Sequence, residues 1–308
     1  MIVRPHANWL RMLFIWHGSV LKSIVPQLLL ILAISSLALA TDGRLFGVKI
    51  PLVTAPFPLV GVSLAIFLGF RNNAAYARFV EARHIWGMIL IATRNLVSQA
   101  GTYLPQDGRD VTREVLVRRL VAFTYALKHQ LRGTDPFTDL SRYLAPEELA
   151  QLRGLQHIPV ALLDRVRRML AASAAVGAGH SVHTVVWMFD GQVNELAADV
   201  AGCERIANTP IPYPYAVLIH RTMYLYCFML PFGLVDVIGV ATPLISVFVA
   251  YTLFALEAIA QEISEPFGLA PNCLALDAMT RGVERSLLEQ CGAALPPAII
   301  PCDRYLVR

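Results

Sequence analysis

Charged residues are scarce in this sequence of 308 residues. Only 16% of the residues are charged, whereas 56% are apolar, which is the wrong balance for a chain surrounded by water. Three stretches contain no Asp, Glu, Lys or Arg at all: residues 23–41, 50–70 and 237–256. Charges of both signs are instead concentrated in residues 71–213. The composition argues against a simple cytosolic enzyme and predicts a membrane protein with a substantial water-exposed part.

The sequence also lacks a large basic excess and any closely spaced pair of cysteines. A net charge of +4, with acidic residues interspersed among the basic ones, is too small to indicate binding to the polyanionic backbone of nucleic acid. The five cysteines are odd in number and widely separated, so we expect neither a disulfide framework nor a structural zinc site. Free thiols are typical of a chain that faces a reducing cytoplasm.

Catalytic signatures are missing as well. The chain contains no Gly-x-Ser-x-Gly elbow, Walker loop, dinucleotide-binding glycine fingerprint or His-Glu-x-x-His motif, and we expect no enzyme activity and no cofactor. His180 and His183 share one helical face, which could bind a metal or sense pH. The run of Glu257, Glu262 and Glu265 could hold a cation. A polar helix face and a solvated helix end are the simpler interpretations, so no metal site is predicted.

Four apolar segments are long enough to cross a membrane, since a spanning helix needs roughly 20 apolar residues. They are residues 23–40, 50–70, 214–235 and 237–256. The third of these includes His220 and Arg221 near one end, where an arginine side chain can reach the interface. Asp236 is expected to mark a tight turn between the last two spans. Four spans place both termini on one side, which the positive-inside rule identifies as the cytoplasm.

Two alternatives to this topology compete with it. The first span could be a signal peptide, because basic residues precede an apolar run that ends in Ala38-Leu39-Ala40. The aromatic residues Trp9, Phe14 and Trp16 favour instead an amphipathic helix at the membrane interface. The charge-free residues 169–189 could form a fifth span, but their small and polar centre favours a helix packed inside a protein bundle.

Between the second and third spans the sequence pattern is helical. Apolar residues recur there with helical spacing, and no strand alternation is evident. Proline- and glycine-rich breaks predict helix ends at 104–108, 133–136 and 209–214. No linker follows the second span, so its helix is predicted to leave the membrane and to continue to about residue 103.

The predicted organisation has five parts along the chain. They are a cytoplasmic or interfacial segment at 1–22, two transmembrane helices within 23–70, a cytoplasmic helical domain at 71–213, two further transmembrane helices within 214–256, and a cytoplasmic C-terminal segment at 257–308. This arrangement is that of an all-α membrane protein with four transmembrane helices and a large cytoplasmic helical region.

The second span carries an apolar stripe. Regular helix is expected to begin near Pro58, because proline is tolerated in the first turn. Val62, Ile66 and Phe70 then recur every four residues and share one face of that helix. By itself such a stripe is also typical of ordinary helix packing.

Three longer motifs stand in the sequence: IFLGFRNNAAYARFVEAR at 66–83, GCERIANTPIP at 202–212, and EPFG at 265–268 followed by LD at 276–277. Together they resemble the bacterial branch of the bestrophin family of ion channels. The resemblance extends from Ile2-Val3-Arg4-Pro5 almost to the C-terminus. It implies a homopentamer around one central pore, with Val62, Ile66 and Phe70 of each subunit forming a narrow apolar neck.

The same resemblance implies a second constriction at the cytoplasmic end of the pore. Spacing from the second motif places it at Thr184, beside His183. Imidazoles converging on that ring would gain charge in mild acid and favour anions. Animal members of the family hold calcium with an acidic run after Pro-Phe-Gly. Here residues 269–277 contain a single carboxylate, and calcium needs six to eight oxygen ligands, so we expect no calcium clasp.

The sequence therefore predicts a bestrophin-like pentameric channel in a bacterial inner membrane. Its expected function is to pass small inorganic ions, chloride or monovalent cations, through a central pore with an apolar neck. The expected partners are further copies of the chain, membrane lipids and the ions themselves. The alternative is a non-conducting membrane scaffold or receptor whose cytoplasmic helices bind a partner.

Overall fold

The computed structural model describes residues 2, 8–13, 15–16, 18–45, 48–49, 54–104, 109–176, 182–301 and 305–306. These residues are mostly helical. The helices are α1 Trp9–Leu13, α2 Leu21–Ala40, α3 Pro56–Tyr103, α4 Arg109–Arg132, α5 Phe137–Leu140, α6 Pro146–Leu152, α7 Ile158–Ala175, α8 Val182–Asn208, α9 Tyr213–Ile238, α10 Thr242–Ser264 and α11 Leu276–Gln290.

The chain divides into two compact units, and α3 contributes to both. We name them by their composition. The apolar unit comprises Arg4–Phe79 and Pro210–Pro266, and the polar unit comprises Met1–Val3, Val80–Thr209 and Phe267–Arg308.

In the apolar unit, α2 packs against α9 and α10. The core that these helices share with the first part of α3 is almost entirely apolar and contains Ile31, Leu64, Leu68, Met223 and Phe254. Gly61 of α3 faces a side chain of α9. A Cβ at Gly61 would lie 2.9 Å from the hydroxyl oxygen of Tyr226, so a larger residue there would require the Tyr226 side chain to move.

Three described segments are long and apolar enough to cross a membrane: Leu21–Ala40, Pro56–Tyr103 and Tyr213–Ser264. The third consists of α9 and α10, which a short 3-10 turn at Gly239–Ala241 separates. The turn therefore falls three residues beyond Asp236, which lies inside α9. Gly239 has a positive φ of 51°, a conformation that favours glycine, and this explains why the chain turns there.

The connection between α2 and α3 contains the described strands, which the sequence pattern did not predict. β1 (Arg44–Leu45) and β2 (Val48–Lys49) form an antiparallel pair. Strands of two residues are too short for an alternating pattern to be recognised. After this hairpin, α3 begins at Pro56 and ends at Tyr103. Its start is two residues earlier than expected, and its end confirms the prediction of one helix that continues to about residue 103.

In the polar unit, α4 packs against α7 and α11, and α7 packs against α8. Four apolar side chains that recur with helical spacing along α4 are fully buried: Leu116, Leu120, Phe123 and Leu127. The predicted breaks also coincide with helix ends, because α4 ends at Arg132 and α8 ends at Asn208. Helical periodicity and proline and glycine positions were sufficient to predict these elements.

The prediction of one small-residue helix across 169–189 is wrong. α7 ends at Ala175 and α8 begins at Val182, so the charge-free run is divided between two helices. The segment between them contains Gly177 and Gly179, and glycine has a low helix propensity. His180 lies outside the described residues, as does Phe14 in the N-terminal segment. Of that segment, α1 is described, with Trp9 and Met12 exposed.

Candidate functional site

The first part of α3 has two apolar faces with opposite surroundings. Leu64 and Leu68 are 2% and 0% exposed, whereas Val62, Ile66 and Phe70 are 60%, 51% and 60% exposed. A spacing of four residues places the exposed three on one stripe of the helix. The structure therefore brings the predicted neck residues onto one face, and that face has little cover in its own chain. Such a face suits contact with lipid, another subunit or a pore.

A buried arginine follows this stripe directly. Arg71 is 5% exposed, and its Nη1 lies 3.3 Å from Oε1 of Glu257 in α10. Its Nη2 donates a hydrogen bond of 2.8 Å to Oε1 of Gln261. Nδ1 of His220 in α9 lies 2.9 Å from the same Oε1 of Glu257. We call Arg71, His220, Glu257 and Gln261 the Glu257 junction, because this carboxylate joins three helices.

The sequence analysis missed this junction. It interpreted Glu257 as part of a solvated helix end, whereas the structure leaves its side chain only 15% exposed. A usable signal was present in the charge pattern. Arg71 is the first charged residue after the charge-free run 50–70, and Glu257 is the first after 237–256. Two opposite charges at equivalent ends of two spans are natural candidates for an ion pair.

Further polar contacts bind the same part of α3 to α10. The side-chain amide of Asn72 donates to the backbone oxygen of Leu256 at 3.2 Å. Nε of Arg78 donates to the backbone oxygen of Ser264, also at 3.2 Å. The segment of α3 that follows Phe70 is therefore held by several hydrogen bonds, in addition to the ion pair.

The second predicted constriction lies in the polar unit. His183 and Thr184 occupy the first turn of α8, and both side chains are exposed. Exposure is consistent with a position on a pore wall. Their assignment as a constriction stays a prediction.

The polar unit buries a carboxylate that is fully paired. Glu284 in α11 is 2% exposed, and its Oε2 accepts a hydrogen bond of 2.7 Å from the Tyr125 hydroxyl. Tyr143 donates to Oε1, and Nε of Arg281 lies 2.8 Å from Oε2. Burial raises the pKa of both tyrosines, and their bonds to Glu284 raise it further. Both hydroxyls therefore stay protonated and act as donors at neutral pH.

The carboxylate of the segment 269–277 is also paired. Asp277 lies 2.7 Å from Nη1 of Arg132 and 3.1 Å from Nζ of Lys128. Burial opposes ionisation of Asp277, but hydrogen bonds from Arg132 and Lys128 outweigh burial and hold its pKa below the usual value. This carboxylate is thus engaged by two cations of its own chain.

Asp199 in α8 differs from Asp277, because its pKa is raised and not lowered. Its Oδ2 is buried and has no hydrogen-bond partner among the described residues. Burial raises the pKa of Asp199 to about 7, and the nearby charge of Glu195 adds to the shift. Asp199 therefore changes its charge near neutral pH, which most aspartates do not.

These features define a class: a helical protein with apolar helices long enough to cross a membrane and a separate polar helical unit. A model of the family described as Bacterial/Fungal Bestrophin protein matches residues 1–289. The chain belongs to this bacterial and fungal bestrophin family, as its motifs predicted.

Curated relatives and solved structures agree with this assignment. The voltage-dependent anion channel-forming protein YneE of Salmonella typhi is 41% identical over 310 residues, which cover 99% of each chain. A voltage-dependent anion channel-forming protein of Ralstonia nicotianae is 43% identical and covers 95% of each chain. The crystal structure of a bacterial bestrophin homologue from Klebsiella pneumoniae superposes with a TM-score of 0.83 at 40% identity, and the match covers 88% of this chain and 99% of that one.

Proposed function

We propose that this protein is an ion channel of a bacterial inner membrane, and that five copies of the chain surround one central pore. The observation that carries the proposal is the exposed stripe of Val62, Ile66 and Phe70 on α3. A helix face lines a pore only where other helices close a ring around it, so we infer that a pore lined by this stripe is built by symmetry from several copies of the chain. The curated relatives are named as anion channel-forming proteins, which supports ion conduction rather than catalysis.

The proposed topology has four membrane crossings. α2 and the first part of α3 form two of them. The segment Tyr213–Ser264 is 52 residues long, more than twice the roughly 20 residues that one crossing needs. Because a turn divides it, α9 and α10 each form one crossing. Four crossings return the chain to its starting side, and the basic residues Arg4, Arg11 and Lys22 assign that side to the cytoplasm.

An apolar neck controls the flow of ions by excluding or admitting water. Rings of Val62, Ile66 and Phe70 side chains cannot replace the hydration shell of an ion, so a narrow neck excludes water and closes. A small widening admits water and lets ions pass. Because these rings carry no charge, they set a barrier more than a preference for one sign of charge. A second ring at Thr184, beside His183, would act at the cytoplasmic end.

We infer the preference of the pore for anions from the curated relatives. Since the neck is uncharged, the names of the curated relatives are the best guide, and we expect chloride to be conducted. Membrane lipids are the expected partners of the remaining exposed apolar side chains.

The test is a current measurement across a planar bilayer that contains the purified protein, under a gradient of potassium chloride. We expect a current whose reversal potential lies near the equilibrium potential of chloride. Reversal near the potassium potential would retain a channel but contradict the anion assignment. An intact oligomer without any current would contradict the channel and favour a membrane scaffold. Mass measurement of the detergent-solubilised complex should give five subunits, and a monomer would count against the pore.

A further inference from the structure

The Glu257 junction begins one residue after the neck stripe ends. Phe70 is exposed, whereas Arg71 is buried, because successive residues of a helix point about 100° apart. The two residues share a peptide bond in the same turn of α3. Whatever fixes the guanidinium of Arg71 therefore also fixes the backbone that carries the Phe70 ring.

One oxygen atom of the junction serves two donors. Oε1 of Glu257 lies 3.3 Å from Nη1 of Arg71 and 2.9 Å from Nδ1 of His220. The Arg71 side chain is 5% exposed and the His220 side chain is 53% exposed. A carboxylate oxygen shared in this way responds to the charge on either donor, since a charge-assisted hydrogen bond is stronger than a neutral one.

The charge of His220 depends on groups from four helices. Glu257 of α10 faces the imidazole directly, and Arg71 of α3 reaches it through that carboxylate. From α9 itself, the ring of Tyr224 lies with its centroid 4.4 Å from that of His220. From α2, the uncharged Gln27 hydrogen-bonds Tyr224. With His220 neutral, the charges of Arg71 and Glu257 cancel, and protonation gives the junction a net positive charge.

We propose that Arg71 is a positioning residue for the neck, which holds Phe70 in place through Glu257, and that His220 makes this hold sensitive to pH. Protonation of His220 draws the shared carboxylate towards α9 and weakens its bond to Arg71. The turn of α3 that carries Phe70 then moves more freely, and the neck opens more often. This inference rests on the proposed function, because the position of Phe70 affects current only if its stripe lines the pore.

The test compares currents through reconstituted channels in baths buffered between about pH 8 and about pH 5.5, the range in which imidazoles titrate. For the unmodified protein we expect the current to rise about threefold as the pH falls, the size expected for a partly exposed ion pair. His220→Gln should abolish this rise. Glu257→Gln should abolish it too, and its current should already be high at about pH 8, because Arg71 loses its ion pair with Glu257 and keeps only uncharged partners such as Gln261.

The matched control is Asp236→Asn. It also removes a carboxylate from an ion pair, since Asp236 Oδ1 lies 2.9 Å from Nζ of Lys49, but this pair lies at the other end of α9. We expect Asp236→Asn to keep the full pH response. A purely structural role for the junction would change the melting temperature of the variants and leave their current–pH curves parallel to that of the parent.

The outcomes separate this inference from the proposed function. If the unmodified protein conducts and His220→Gln keeps the same pH response, the inference is overturned while the channel stands. If the unmodified protein conducts at no pH, both are overturned. If Glu257→Gln does not assemble, His220→Gln still decides the question, because its side chain is exposed and its replacement leaves the ion pair of Arg71 intact.

Discussion

The apolar unit exposes more of its large apolar side chains than the polar unit does. In the polar unit, the apolar residues of α4 are buried, and the buried charges of the described residues include Lys128, Asp199 and Glu284. In the apolar unit, Leu29 of α2 and Ile66 of α3 are largely exposed, and Arg71 is the buried charge among the described residues. A fold in water hides apolar surface, whereas a fold in lipid need not. The contrast indicates that the two units fold in different solvents.

The largest expected effect on stability comes from removing Glu284, the buried and paired carboxylate of the polar unit. Glu284→Ala removes the acceptor of Tyr125 and Tyr143 and leaves Arg281 without its buried partner. We expect a loss of about 3–5 kcal/mol in the free energy of unfolding, as for other broken buried ion pairs. Thermal unfolding of the detergent-solubilised protein measures it. Glu289→Ala, an exposed position of the same helix, is the control and should change little. Equal melting temperatures for the two variants would contradict the account of this cluster.

The next largest effect is a difference in stability between substitutions on the two faces of α3. Leu68→Ala opens a cavity at a fully buried position, and we expect it to lower stability by about 2 kcal/mol. This value is at the lower end of the usual range for replacing leucine with alanine. In lipid, the lost packing contacts still destabilise the protein, but the free energy of transferring the side chain out of water does not contribute. Ile66→Ala, on the exposed face, should change stability by less than about 0.5 kcal/mol. If Ile66→Ala were the more destabilising of the two, the stripe would be a packing face.

The smallest effect concerns Asp199. Its pKa is about 7 in the folded chain against 3.8 for an ordinary aspartate, so the folded state binds the proton more tightly. The contribution of Asp199 to stability is therefore greatest below pH 3.8 and is lost as the pH rises to about 7. At about pH 8, we expect Asp199→Asn to be about 1 kcal/mol more stable than the parent, because it removes a poorly paired buried charge.

This difference should shrink as the pH falls below about 7, since the parent then carries a neutral side chain as well. Melting curves at several pH values measure it. Asp164→Asn, at a half-exposed position of α7, serves as control and should show no such trend. A constant difference between Asp199→Asn and the parent at all pH values would contradict the change of charge of Asp199 near neutral pH.

The sequence predicted well those features that depend on neighbouring residues. Charge-free runs indicated the long apolar helices, and helical spacing indicated the buried side of α4. Proline and glycine positions indicated where helices end. The exposed stripe of Val62, Ile66 and Phe70 followed from a spacing of four residues. Family motifs identified the chain, because they are long and occur in the family's order.

Contacts between distant parts of the chain could not be predicted in this way. Arg71 and Glu257 are 186 positions apart, and Tyr125 and Glu284 are 159 apart. No local pattern states which charges will meet at such separations, since helix packing decides it. The division of residues 169–189 between α7 and α8 was missed for a different reason. The absence of charge in the run was given more weight than Gly177 and Gly179, although glycine has a low helix propensity.

The central claim is that the exposed stripe of α3 lines a conducting neck, and the current through Ile66→Ala tests it most directly. Shortening this side chain widens and wets an apolar ring, so we predict a larger current per assembled channel than in the unmodified protein. Leu29→Ala is the control, because Leu29 is also an exposed apolar residue but lies on α2, and its current should be unchanged. An intact Ile66→Ala oligomer with the current of the unmodified protein would contradict the claim.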